Sequence, residues 1–217
     1  MSEQAKTSRR PADIYFFATC VVDQFFPGAG LDAITLLEQQ GIRVHFPEEQ
    51  TCCGQPAFTS GFSDEARKVA ALQLTLFPND WPVVVPSGSC AGMMKHHYPT
   101  LFEADPVRKK LAESLSARVY ELTDFLVNVL DWQPEDKGSD CTVVLHTSCS
   151  ARREMGVHLT GRKLLGGLNK VSVAQQDHES ECCGFGGILS IKQPEISGAM
   201  VEDKLKSLKA TGAERVV

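Results

Sequence analysis

The sequence has no run of about 18 consecutive apolar residues, the length that a helix needs to cross a bilayer. The N-terminal stretch Met1 to Pro11 lacks the apolar core of a secretory signal. Positive charge is not in excess, because 22 Lys and Arg residues face 27 Asp and Glu residues, for a net charge of −5. A surface that binds nucleic acid is therefore not expected. These absences predict a cytoplasmic protein without a transmembrane segment and leave open an attachment at the membrane periphery through partner proteins.

The composition is that of a folded globular chain. Hydrophobic residues make up 42% of the 217 residues and charged residues 23%, which excludes a disordered protein. The length suits one large domain or two small ones. The unusual feature is the presence of eight cysteines. In a reducing cytosol, clustered cysteines bind metals or carry redox chemistry more often than they form disulfides.

The cysteines follow a pattern that occurs twice. Each half has a single cysteine and, further along, an adjacent pair that a glycine follows. The gap is 31 residues from Cys20 to Cys52 and 32 residues from Cys149 to Cys182. Two long gaps of nearly equal length that end in the tripeptide Cys-Cys-Gly predict an internal repeat of about 125 residues. Cys90 adds a fourth cysteine to the first half.

Strand and helix signals alternate in the same order in both halves. Short apolar runs predict strands at 14–18, 43–46, 83–85, 142–146, 170–173 and 215–217. Amphipathic patterns with helix-capping residues predict helices at 31–40, 63–77, 105–117, 123–132, 159–168 and 194–210. This alternation predicts an α/β fold made of two pseudo-symmetric βαβ-type units with parallel sheets.

The same comparison predicts the domain organisation. The first unit with a helical extension covers 13–132, the polar stretch 133–140 is a linker, and the second unit covers 141–217. In the first unit Cys90 follows the strand at 83–85 by a few residues, whereas the second unit stops at Val217, at the end of the equivalent strand. We therefore expect a slightly longer natural protein, with a counterpart of Cys90 beyond Val217.

The cysteine pattern suits a metal centre. Two adjacent cysteines in a strand point to opposite faces, so the chain must turn at the pair to aim both thiolates at one centre. Gly54 and Gly184 permit such a turn. The cysteines follow predicted strands, and the carboxyl ends of parallel strands meet at one edge of a sheet. Four thiolates from three loops can hold an iron–sulfur cluster or a tetrahedral zinc ion. The predicted ligands are Cys20, Cys52, Cys53 and Cys90 in a first site, and Cys149, Cys182 and Cys183 in an incomplete second site.

At these residues the sequence resembles the cysteine-rich CCG domain. That domain occurs in one of the subunits of heterodisulfide reductase, in the iron–sulfur subunit of glycolate oxidase and in an iron–sulfur subunit of anaerobic glycerol-3-phosphate dehydrogenase. The resemblance is greater to the lactate-utilisation protein A group, and it extends over almost the whole chain. The stretches that carry it are 17–24, 87–93, 96–99, 146–149, 153–156 and 182–187.

The resemblance implies an iron–sulfur electron-transfer subunit of an L-lactate-oxidising system that acts with companion proteins, one of them a second iron–sulfur protein. It implies a cluster, of the [4Fe–4S] type in our interpretation, and leaves zinc possible in one site. One departure from the broader family is Met93, which stands where that family has a final cysteine. An alternative is a zinc-bound scaffold subunit of the same type of complex without redox turnover.

Other residues carry weaker signals. His96, His97 and His146 are candidate proton donors or acceptors, and a structural role is the more common one for such histidines. Arg152 and Arg153 could bind a carboxylate or belong to a solvated surface. Cys141 lies outside the repeat and is expected to be a bystander. Gly28, Gly30 and Ala33 mimic a dinucleotide fingerprint, but these glycines come too long after the predicted strand for an NAD-binding Rossmann turn.

Overall fold

The computed structural model describes residues 10–185 and 187–217. The expected absence of a signal concerns Met1 to Pro11, of which residues 1–9 lie outside the described ranges, and Gly186 also lies outside them. The strands are β1 (Asp13–Phe16), β2 (Arg43–His45), β3 (Val83–Val85), β4 (Val119–Glu121), β5 (Cys141–Val144), β6 (Val171–Ala174) and β7 (Arg215–Val216). The helices are α1 (Cys20–Phe25), α2 (Pro27–Gln39), α3 (Gln55–Thr59), α4 (Ser63–Gln73), α5 (Gly88–Gly92), α6 (Tyr98–Leu101), α7 (Pro106–Ser116), α8 (Leu122–Asp124), α9 (Cys149–Met155), α10 (Val157–Gly166), α11 (Ile188–Lys192) and α12 (Pro194–Ala210).

Two parallel sheets show the predicted repeat. The first has the strand order β2-β1-β3-β4 and the second the order β6-β5-β7. Asp13 of β1 pairs with Arg43 of β2, and Cys141 of β5 pairs in the same way with Val171 of β6. In each half the first strand is therefore flanked by the next two along the chain. The prediction of an α/β fold with two repeated units is confirmed.

The buried side chains explain why the first sheet forms. All three valines of β3 are fully buried, as expected for a central parallel strand that helices cover on both faces. One core cluster includes Phe17, Phe77 and Tyr98, and the other includes Ile14 and Leu37. The sheet therefore lies between two apolar layers, and its strand ends are held in a fixed arrangement.

Some predicted elements differ from the structure. Strand β4 was not predicted, and 123–132 contains the short helix α8 and a π-helical turn at Phe125–Val129 in place of one regular helix. The helical run from α5 through the π-helical turn Met93–His97 to α6 was also missed. Its residues are mostly small or buried, so no amphipathic period marks it. None of the helices in the described ranges is long and apolar enough to span a membrane.

The two halves contact each other mainly through α5 and α9. A Cβ atom added at Gly88 would lie 2.5 Å from the Cβ of Ala151, so the two helices touch at their backbones. A Cβ atom at Gly92 would clash with the Glu154 side chain, which also approaches His97 with 3.6 Å between Oε1 and Nε2. Small residues on α5 therefore set the distance between the helix that carries Cys90 and the helix that begins at Cys149.

We predict that Gly88→Ala destabilises the protein by about 1–3 kcal/mol, because the added methyl group forces α5 and α9 apart. Gly28→Ala is the matched control, since a Cβ atom at Gly28 in α2 meets nothing within 4 Å. That control is expected to stabilise the protein by up to about 1 kcal/mol, because alanine is the better helix former. Chemical denaturation gives the change in the free energy of unfolding for each variant. Changes of the same sign would contradict the described contact between α5 and α9.

Candidate functional site

The four predicted ligands of the first site lie at the carboxyl ends of neighbouring strands. Cys20 is the first residue of α1, four residues after β1 ends, and Cys90 lies in α5 shortly after β3. The pair Cys52 and Cys53 lies in the loop after β2. The fold thus brings together residues from three separate loops. This arrangement is the one that places ligands in open α/β sheets.

The start of α1 is fixed by Thr19 and Gln50. The Thr19 hydroxyl caps the helix by accepting a hydrogen bond from the Val22 amide at 3.4 Å. Thr19 has a positive φ of 62°, a rare conformation for a β-branched residue. The Gln50 side chain accepts a hydrogen bond from the Ala18 amide and donates one to the Phe16 carbonyl. Gln50 therefore joins the loop of Cys20 to the loop of the cysteine pair.

The loop of the cysteine pair turns at Gly54, which has a φ of 86°. Its amide donates a hydrogen bond to the Cys52 sulfur at 3.4 Å. A Cβ atom at this position would lie 3.3 Å from the Ala66 carbonyl oxygen, so α4 packs directly against the turn. The buried Tyr98 hydroxyl donates a hydrogen bond to the Cys53 carbonyl at 2.9 Å. The turn is therefore held on both sides of the pair.

The four thiols influence one another's proton affinity. A hydrogen bond from the Cys53 thiol, aided by the Gly54 amide, lowers the pKa of Cys52 to about 5. The Cys53 pKa is raised, first by its hydrogen bonds to Cys52 and Cys90 and then by burial. Hydrogen bonding from Cys53 lowers the pKa of Cys90, whereas burial raises that of Cys20. The interactions link all four cysteines into one group.

The first site has a buried side and an open side. Cys53 and Cys90 are 1% and 7% exposed. Cys20 and Cys52 line an open pocket of about 380 Å³, whose other walls include Asp23 and Glu48. The site is therefore open to solvent on the side of Cys20 and Cys52.

The described residues contain no group of three or more His, Cys, Asp or Glu side chains already spaced to hold a metal ion. The donor set nevertheless fits a sulfur-ligated group, because four cysteines converge in largely apolar surroundings. Hydrogen bonding lowers the pKa of Cys52 and of Cys90, and thiolates are the form that binds metals. The backbone hydrogen bond to the Cys52 sulfur is of the kind that tunes iron–sulfur centres. Binding would require the release of the remaining thiol protons.

The second half repeats this geometry with three cysteines. Cys149 is the first residue of α9, and the Ser148 hydroxyl caps that helix by accepting a hydrogen bond from the Ala151 amide. The Gly184 amide donates to the Cys182 sulfur at 3.4 Å, the same distance as in the first half. Gly184 has a φ of 82°, and a Cβ atom there would lie 2.6 Å from the Ser197 carbonyl oxygen of α12. Burial, followed by hydrogen bonding with Cys182, raises the pKa of Cys149.

Charged side chains hold the second loop. Arg152, which follows Cys149, donates a hydrogen bond to Glu179 at 3.0 Å, and Arg162 pairs with the same carboxylate. The Lys204 ammonium group is largely buried and donates to the carbonyls of His178 and Glu179. Although burial acts to raise it, the two arginines hold the pKa of the Glu179 carboxyl below its ordinary value. These ion pairs and hydrogen bonds fix the segment that precedes Cys182 and Cys183.

The three candidate histidines do not form one group. His96 and His97 both lie against Glu154 between the two halves, and His97 also packs on the Phe58 ring at 4.7 Å. His146 follows β5, and burial lowers its pKa. A role of these histidines as proton donors or acceptors stays a prediction.

The remaining predicted residues lie as follows. Cys141 is half-buried in β5, away from both cysteine groups, and Met93 is fully buried in the first core cluster. Arg153 is exposed on α9. Gly28 and Gly30 lie inside α2, and no glycine turn follows β1, so the geometry of a dinucleotide-binding turn is not found there.

Sequence reasoning missed the residues that position the cysteines. Gln50 and Tyr98 gave no signal, because their contacts join segments far apart in the chain. Gln73 donates a hydrogen bond to Thr51 at 2.7 Å and is fully buried. Its place on the apolar face of α4, beside Ala66 and Ala70, is a signal that could have identified it.

The family of the chain is shown by comparison with known proteins. The family model described as a cysteine-rich domain, CCG, matches residues 14–95 and again residues 143–217. The chain belongs to this CCG family, as its sequence predicts.

Curated relatives match most of the chain. It is 44% identical over 207 residues to "Lactate utilization protein A 1" of Bacillus mycoides, covering 94% of this chain and 83% of that protein. It is 42% identical to "Lactate utilization protein A" of Shouchella clausii over 94% of this chain and 85% of the relative. It is 38% identical to "Lactate utilization protein A 2" of Bacillus cereus over 94% of this chain and 84% of the relative. The predicted resemblance to this group is confirmed.

We predict that Glu179→Gln destabilises the protein by about 1–3 kcal/mol at pH 7, because the neutral amide loses two charge-assisted hydrogen bonds. The Glu179 pKa is lowered in the folded state, so its ionised form stabilises the protein above the unfolded carboxyl pKa of about 4.3. That contribution is lost as the pH falls through the lowered pKa. Denaturation curves between pH 7 and pH 3 should therefore show the wild-type advantage shrinking towards acid.

The control for this experiment is Glu135→Gln. Glu135 pairs with Lys137 on the surface, where its side chain is 75% exposed, so the expected change is close to zero at every pH. An advantage of Glu179 that stays constant between pH 7 and pH 3 would show that the carboxylate charge does not stabilise the fold.

Proposed function

We propose that this protein is an iron–sulfur electron-transfer subunit of a system that oxidises L-lactate. The observation that carries this proposal is the convergence of Cys20, Cys52, Cys53 and Cys90 on one edge of the first sheet. A bound [4Fe–4S] cluster would accept and release single electrons there. Cys149, Cys182 and Cys183 form the corresponding set in the second half.

The residues around the cysteines have separate tasks in this proposal. Gly54 turns the chain and donates a backbone hydrogen bond to the Cys52 sulfur, which favours the thiolate form. Gln50 binds the loop of Cys20 to the loop of the cysteine pair, and Tyr98 binds the backbone at Cys53. The apolar packing of Cys53 and Cys90 limits access of water to the inner side of the centre. Ligand hydrogen bonding and burial are the means by which a protein sets a cluster potential.

The charged residues near the two cysteine groups differ. Asp23 lines the pocket of the first site, whereas Arg152 takes the matching position three residues after Cys149. Arg162 and Lys204 add further positive charge near the second loop. The Glu179 carboxylate pairs with both arginines and balances part of this charge.

The choice of lactate comes from the relatives, which carry the name lactate utilization protein A. In such a system the 2-hydroxy acid loses two electrons and two protons, and the electrons pass through this chain one at a time. Companion proteins, including a second iron–sulfur protein, would supply the substrate site and the acceptor. A flavin, if one takes the hydride, would belong to a companion, because no flavin-binding motif is visible in this chain.

A zinc-bound scaffold subunit is the alternative. The tetrahedral geometry of zinc suits four thiolates as well, and Zn²⁺ carries no electrons. In that case the cysteine groups would stabilise an assembly surface and the chain would take no part in redox turnover. Metal content distinguishes the two functions.

We predict that the chain purified without oxygen contains iron and acid-labile sulfide. Cys52→Ser and Cys90→Ser should each lose most of the iron of the first centre, because one of four thiolates is removed. The control is Cys141→Ser, which leaves both cysteine groups intact and should keep the iron and sulfide content of the wild type. Analysis of the iron, sulfide and zinc content of the wild type and each variant measures these outcomes.

Zinc in stoichiometric amount without iron or sulfide would contradict electron transfer and support the scaffold. Iron that is retained in Cys52→Ser and Cys90→Ser would contradict the assignment of these residues as ligands. Thermal unfolding of each variant checks that a loss of metal does not result from a loss of the fold.

A further inference from the structure

Helix α3 connects the cysteines of the first half to the helix that begins at Cys149. The first cysteine group consists of Cys20, Cys52, Cys53 and Cys90. Helix α3 starts at Gln55, directly after the turn at Gly54. Hydrogen bonds to the neighbouring thiols and burial raise the pKa of Cys53, and the Gln55 backbone amide opposes this rise by donating to the sulfur. The start of α3 is therefore tied to the cysteine group itself.

Helix α3 reaches α9 at two points, one direct and one through His97. The Gln55 side-chain amide donates to the Ser150 hydroxyl, with 3.4 Å between Nε2 and Oγ. One turn later, the Phe58 ring packs on His97, and His97 Nε2 lies 3.6 Å from the Glu154 carboxylate. Positions three or four apart share a face of a helix, so both contacts fall on one face of α3 and one face of α9. The two helices therefore run side by side in the same direction.

The contact between α5 and α9 brings Cys149 close to the first cysteine group. A Cβ atom added at Gly88 would lie 2.7 Å from the Cα of Ala151. The α-carbons of these two residues are therefore within about 4.5 Å of each other. Cys90 and Cys149 each lie two helical residues away from this contact, which places their α-carbons within about 15 Å. A change at the first group therefore occurs close to the start of α9.

We propose that Gln55 is a positioning residue that couples the two cysteine groups, because its backbone follows the first group and its side chain holds the start of α9. The inference rests on the proposed metal site of the first group. With a metal bound to the four thiolates, the turn between Cys53 and Gln55 is fixed. The Gln55 side chain is then held against Ser150, next to Cys149, so the first turn of α9 opens less often. By linkage, an ordered α9 in turn favours metal binding at the first group.

Zn²⁺ tests the coupling, because it binds four thiolates and takes part in no redox reaction. The test uses the full chain with Cys182→Ser and Cys183→Ser, in which Cys149 loses its two partner thiols and is left free for alkylation. Labelling of the reduced protein with iodoacetamide, followed by mass spectrometry, measures the rate at each cysteine separately. Zn²⁺ should protect the first cysteine group. It should also slow the alkylation of Cys149 by about two- to tenfold, the factor that one hydrogen bond is worth.

Two further variants remove the hydrogen bond between α3 and α9. In Gln55→Ala and in Ser150→Ala, Zn²⁺ should still protect the first cysteine group, but most of the slowing at Cys149 should be lost. The two changes combined should behave like either one alone, because they act through the same hydrogen bond. Gln39→Ala is the matched control, since Gln39 is exposed at the end of α2, and it should keep the full effect of Zn²⁺ on Cys149.

Three results would overturn the proposal. If Zn²⁺ protects the first group and leaves the rate at Cys149 unchanged, the groups are not coupled. If Gln55→Ala shows the same slowing as the unchanged Gln55, another contact carries the coupling. If Zn²⁺ does not protect the first group, the metal site on which the inference rests is itself contradicted, and this failure is distinct from the other two. Thermal unfolding checks each variant, and Cys182→Ser alone replaces the double serine variant if that variant does not fold.

Discussion

The structure depends on one constraint, which is that two adjacent cysteines must face the same centre. The backbone satisfies it with a left-handed glycine after each pair, and the amide of that glycine donates to the sulfur of the first cysteine. The glycine is then pressed against a helix, α4 in one half and α12 in the other. The position of these helices, and with it the packing of each unit, follows from the turn.

The cysteine loops of the two halves have the same geometry, but different kinds of side chain hold them in place. In the first, neutral side chains hold the loops, with Gln73 bound to Thr51 and Tyr98 bound to Cys53. In the second, Lys204 and the two arginines around Glu179 do so with charge. The duplicated unit therefore places two similar groups of cysteines in different surroundings.

Much of this architecture could be predicted from the sequence. The equal cysteine gaps revealed the repeat, and the valine-rich runs located strands such as β3 correctly. Strand β4 was missed because three residues carry too little pattern, and the helical run through α5 because contact with α9 selects small residues there. The residues that hold the cysteine loops in place were also missed. Gln50 and Tyr98 act through contacts between distant segments, which local patterns do not reveal.

The central claim is that the first cysteine group holds a redox-active iron–sulfur centre. Electron paramagnetic resonance of the anaerobic protein before and after chemical reduction tests it most directly. A paramagnetic iron–sulfur signal should appear on reduction, should be weakened or altered in Cys53→Ser, and should be unchanged in Cys141→Ser. A protein without any such signal in either state, or an identical signal in Cys53→Ser, would contradict the account.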